Sequence, residues 1–110
     1  MRKSLSLVIT LFCLFAVGKA QNLQDGIKQL ENENFTAALT TFNKLAVADP
    51  KNPLYYYYIG EVYYNLDKKT DARKAYDKGL NISSKCDQCH IGLGRLDIEE
   101  NKAEAAKKHF

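Results

Sequence analysis

The residues best placed to do chemistry are Cys86, Cys89 and His90, in the run Cys86-Asp87-Gln88-Cys89-His90. C-x-x-C-H is the spacing at which two thiols reach the two vinyl groups of one haem while the next imidazole ligates the iron, an electron-transfer reading that suits an exported chain. The same pair has two structural uses. In an oxidising compartment Cys86 and Cys89 can bridge across a first helical turn and staple its start; otherwise they are small, half-buried free thiols. Zinc would need two further ligands, and His90 with His109 lacks the spacing of a finger. No serine, cysteine or carboxylate stands with both a partner base and an orienting group, so we expect no catalytic, metal or cofactor-binding residues.

The elements that must position these residues are bounded by size. The chain has 110 residues, 45% of them hydrophobic and 26% charged, with two prolines, enough apolar material for one small folded domain. A domain this small buries only about 60–65% of its unfolded surface, which leaves little room for a deep catalytic cavity. The net charge of +3 sits at the start of the chain: Arg2, Lys3 and Lys19 face no acid in residues 1–20. Removing those three from the 16 Lys+Arg leaves 13, equal to the 13 Asp+Glu, so residues 21–110 carry no basic excess and nucleic acid is not an expected partner.

Arg2 and Lys3 precede an apolar run from Leu5 to Val17, followed by Gly18, Lys19, Ala20 and Gln21. That run is long enough for a signal-peptide core and shorter than the roughly 20 residues of a membrane span. Residues 1–20 therefore read as a signal peptide cleaved after Ala20, and the mature chain as exported, periplasmic or secreted, with no membrane span. The small-residue junction followed by Gln21 resembles exported proteins of Bacteroidetes-type bacteria. Cys13 follows the bulky Phe12 and reads as part of the signal core rather than a lipid-attachment site.

Three ladders of like residues share a period of 34: Gly26, Gly60 and Gly94; Ala38, Ala72 and Ala106; Phe42, Tyr76 and Phe110. Within each unit apolar residues recur three and four apart, which places them on one face of a helix. Two helices fit each unit. The spacing predicts helices over about Leu23–Glu31 and Phe35–Val47 in the first, with Asn34 as a cap and Asp49-Pro50-Lys51-Asn52 as the stop. In the second, Asn52 caps a helix that has Pro53 in its first turn and runs to about Leu66; another spans about Lys69–Asn81. The third unit begins near residue 87, and Phe110 falls in the middle of its expected second helix, so we expect further repeats or domains beyond it.

This pattern resembles the tetratricopeptide repeat, a helix-turn-helix unit with the same period. The family's large-x-x-Leu-Gly-x-x-Tyr stands here as Tyr56-x-x-Ile59-Gly60-x-x-Tyr63, and its Ala-x-x-x-Phe as Ala72-x-x-x-Tyr76. The resemblance implies an all-α, right-handed superhelical solenoid of about 2.5–3 repeats over residues 21–110, divided near 19–52, 53–86 and 87–110. It also implies a non-enzymatic scaffold that binds a protein or peptide on its concave face. The implied lining of that face is Leu23, Ile27 and Leu30, then Tyr57, Tyr58, Glu61 and Tyr64, then Gln88, Ile91, Arg95 and Ile98. Tyrosine suits such a surface because it offers large contact area with few rotors to freeze. The same tyrosines would also serve to meet further repeats of a longer array. The carboxylate clamp of heat-shock co-chaperones is not implied, since its places hold Leu23, Ile27, Tyr58, Gln88 and Gly92. The repeat frame puts His90 in the seam between the second and third units, where a haem would displace Tyr56 and Tyr76.

Overall fold

Residues 22–109 are described by a computed structural model; the expected signal peptide lies outside them. The described residues form five helices and no strand: α1 (22–31), α2 (Phe35–Ala48), α3 (Pro53–Asn65), α4 (Lys69–Ile82) and α5 (Asp87–His109). The pairs α1–α2 and α3–α4 are the two expected hairpins, and their bounds agree with the periodicity to within one or two residues. None of these helices is long and apolar enough to cross a membrane.

Local chemistry explains the boundaries. Asn52 Oδ1 accepts the Leu54 amide at 3.0 Å, and Pro53 occupies the first helical position, where no amide hydrogen is needed. Asn34, the other expected cap, makes no side-chain cap bond. Each hairpin turn is instead fixed from the helix before it. Glu33 and Asp67, which hold the same position in successive units, adopt left-handed backbone with φ of 60° and 59°. The Asn34 amide donates to the Gln29 carbonyl at 2.8 Å and the Lys68 amide to the Tyr63 carbonyl at 2.9 Å, the six-to-one bond that closes a helix C-terminus. These turns form without glycine, so each carries the steric penalty of a Cβ in the left-handed region.

The core lies between the hairpins. Ala38, Phe42, Leu45, Ala46, Ile59, Val62 and Ala75 form one buried cluster; Ala72, Tyr76 and Leu96 form a second. Glycine sets the helix spacing at defined points. The Phe42 ring lies so close to Gly26 that an added Cβ would meet it at 2.6 Å, and the same ring stacks on Tyr58 with centroids 5.0 Å apart. Tyr76 repeats the arrangement one unit later but is enclosed by two glycines, Gly60 on α3 and Gly92 on α5. The ring is fully buried.

The third unit departs from expectation. The period places its turn at Asn101, the counterpart of Asp67, yet α5 runs unbroken through that residue as a single 23-residue helix. Ala106 is consequently exposed, whereas its counterparts Ala38 and Ala72 are fully buried, and an added Cβ on Gly94 would meet nothing within 4 Å. Continuing the helix keeps its backbone hydrogen bonds and avoids a left-handed residue. Two hairpins are therefore followed by one long helix, α5, where a third hairpin was expected.

Cys86 and Cys89 are joined by a disulfide at the start of α5, with Cα atoms 5.3 Å apart. Cys89 is fully buried, and its sulfur lies against Gly79 of α4. Closing so short a loop stabilises the fold by about 2 kcal/mol in the chain-entropy account. Reduction is expected to lower the melting temperature by about 8–16 °C, measured by circular dichroism with and without dithiothreitol. A Cys86→Ser/Cys89→Ser variant should melt at the reduced temperature under both conditions.

Candidate functional site

The side chains proposed to line one face divide into three groups. Leu23, Ile27, Leu30 and Tyr58 are half-buried and pack against the first core cluster, so they serve the fold. Tyr57, Glu61, Tyr64 and Arg95 converge where α3 and α5 meet. Gln88, Ile91 and Ile98 stand exposed on α5, the two isoleucines at 68% and 57%.

The convergence is held by charge. Arg95 Nη2 donates to Glu61 Oε1 at 2.6 Å and to the Tyr76 hydroxyl at 2.9 Å, while that hydroxyl donates to the same Glu61 oxygen at 2.6 Å. The guanidinium also lies over the Tyr64 ring, 3.7 Å from its centroid. Tyr64 donates its hydroxyl proton to Glu99, whose other oxygen pairs with Lys69 at 3.4 Å. Glu61 is thus a satisfied carboxylate rather than a free anchor for a ligand. Its neighbours titrate accordingly. Burial, then the Glu61 hydrogen bond, holds the Tyr76 phenol far above its usual range; burial and the Glu61 charge raise Tyr57. The Tyr64 hydrogen bond holds the Glu99 carboxyl below its ordinary value.

Glu61 and Arg95 occupy the same position of successive units, one full period apart. Opposite charges at one repeat position on adjacent first helices are a legible signal for a cross-unit pair, which the reading of both as groove residues overlooked. Gly92 and Glu99 were missed because neither belongs to a ladder of like residues.

The haem alternative does not fit this arrangement. Both sulfurs are joined to each other, and His90 is exposed rather than in the seam, its Nε2 2.9 Å from the Ser84 carbonyl oxygen. Among the described residues, no group of three His, Cys, Asp or Glu side chains is arranged to hold a metal ion.

A tetratricopeptide-repeat family model matches residues 53–86, the unit formed by α3, α4 and the loop into α5. Residues 53–86 carry a tetratricopeptide repeat. A crystal structure of a tetratricopeptide repeat domain protein from Salinibacter ruber superposes with a TM-score of 0.56 at 26% identity, covering 79% of this chain and 96% of that one. A TPR repeat-containing protein of Methanocaldococcus jannaschii is 20% identical, over 86% of this chain and 23% of its own length. The chain therefore spans less than a quarter of that relative. Tetratricopeptide repeats are non-catalytic scaffolds that mediate protein–protein interaction, and the helical solenoid expected from the repeat period is the fold observed.

Proposed function

We propose that the face shared by α3 and α5 captures an extended or helical segment of another protein, outside the cytoplasm, and that the chain catalyses no reaction itself. One observation carries this reading: Ile91 and Ile98 flank Arg95 at helical spacing and are largely exposed, beside the half-buried Tyr57 and Tyr64. Arg95 is neutralised by Glu61 and covered by Tyr64, so the surface offers apolar and aromatic contact with little net charge. Such a patch accepts hydrophobic anchors. The signal-peptide pattern and the Cys86–Cys89 bridge support the compartment.

The test compares Ile91→Ser/Ile98→Ser with Val47→Ser, a control on α2, where Val47 is 84% exposed. Surface changes of this kind shift stability by only about 0.5 kcal/mol each. The double variant is expected to keep its helicity and lose roughly tenfold or more in affinity for the proteins that wild type captures from its source cells. The Val47 variant should retain them. Equal capture by all three would place the binding surface elsewhere.

A further inference from the structure

The two sulfurs of the Cys86–Cys89 bridge stand in different surroundings. Cys89 is fully buried, and its sulfur fills a notch in α4 where a Cβ added to Gly79 would meet it at 2.5 Å. Cys86 immediately precedes α5, keeps 6% of its surface exposed, and is flanked by the exposed Lys85 and Asp87. The Cys89 amide donates to Cys86 Sγ at 3.3 Å; it is one of the first-turn amides that a helix leaves without an internal acceptor. That donor, with the positive end of the helix behind it, favours negative charge on the Cys86 sulfur. A bridge that served only as a staple would need neither the asymmetry of burial nor a donor aimed at one sulfur.

We propose that the Cys86–Cys89 pair is a thiol-exchange site for a dithiol protein, entered at Cys86. A thiolate of the partner attacks Cys86 Sγ, the Cys86–Cys89 bond breaks, and its electron pair leaves on Cys89, which takes up a proton. The new bond joins Cys86 to the partner. The partner's second thiol then attacks the partner's own sulfur in that bond and releases Cys86 as a thiolate beside the Cys89 amide. In sum, the partner's dithiol is oxidised to a disulfide, and Cys86 and Cys89 receive two electrons and two protons. The chain is used once per exchange and is not a catalyst. The Gly79 notch keeps the Cys89 sulfur seated whether or not it is bonded, so α5 stays docked on α4 while the pair is reduced. None of this rests on the peptide-binding reading above, which uses neither cysteine.

The probe is a thioredoxin whose second active-site cysteine is replaced by serine, so that it cannot complete the exchange and remains attached. Mixed with the oxidised protein, it is expected to form a mixed disulfide, and peptide mapping should place the bond on Cys86 and not on Cys89. Reduction by dithiothreitol should take place in the folded state, its rate changing by less than about twofold in urea below the unfolding transition. In Cys89→Ser the backbone amide of residue 89 is retained, and iodoacetamide at pH 7 should modify Cys86 about tenfold faster than it modifies glutathione. Failure to trap a mixed disulfide, or a bond trapped on Cys89, would overturn the proposal. So would a reduction rate that climbs with the unfolded fraction, or a Cys86 thiol no more reactive than glutathione in a Cys89→Ser chain that keeps its helicity.

Discussion

Tyr76→Ala is expected to bring the protein to the edge of unfolding. The Tyr76 ring is the largest fully buried side chain and fills the space between Gly60 and Gly92, so it touches both helices on which the second core is built. Truncating a buried aromatic residue to alanine removes about 3–5 kcal/mol, against a total stability of about 5–15 kcal/mol for a domain of ordinary size. The Glu61–Arg95 pair would also lose its shared hydroxyl. A fall in melting temperature on the order of 20 °C is expected in thermal denaturation followed by circular dichroism. Tyr76→Phe keeps the ring and should lose only about 1 kcal/mol. If Tyr76→Ala melted within a few degrees of wild type, the ring would not be the element that holds α3 against α5.

The second large effect is alkaline. The Tyr76 phenol is pushed far above its ordinary value near 10, by burial first and then by its bond to Glu61. The sign follows from the proton. Below pH 10 the phenol is protonated in folded and unfolded chains alike, and its contribution is fully present. Above pH 10 the unfolded chain releases the proton while the folded chain retains it, so ionisation favours unfolding. Each pH unit above 10 should therefore remove about 1.4 kcal/mol through this one group. Tyr57 and Tyr64, raised in the same direction, add to the slope, and the lysines contribute a background common to all variants. Urea denaturation at pH 8, 10 and 11.5 should show wild type losing its small advantage over Tyr76→Phe, the two curves crossing as pH rises. Parallel curves would mean that the phenol ionises freely in the native state.

How much of this was legible in the sequence depended on whether identity or difference carried the information. The ladders of Gly26/Gly60, Ala38/Ala72 and Phe42/Tyr76 fixed both hairpins because each contact recurs with the same residue types. Gly92 left no such trace. Its counterpart one unit earlier is Tyr58, which performs the opposite task by stacking a ring on Phe42 where Gly92 clears space for Tyr76. The third hairpin was over-read for a related reason. Gly94 and Ala106 sit in their ladders, but a ladder states which residues are alike and not whether the packing energy is enough to break a helix at Asn101. At the candidate face, periodicity located Glu61 and Arg95 on neighbouring helices and assigned them to a ligand; their mutual neutralisation needed side-chain geometry to see.

The exchange of Tyr58 for Gly92 makes the two joints of the solenoid unequal in what fills them. At the first, two rings separate the backbones; at the second, the α5 backbone comes up against a single ring. Identical modules would meet at identical joints, whereas here the second joint holds glycine where the first holds tyrosine. A tandem array assembled from copies of the middle module would therefore not reproduce the second joint, because every copy would present a tyrosine where Gly92 admits the Tyr76 ring.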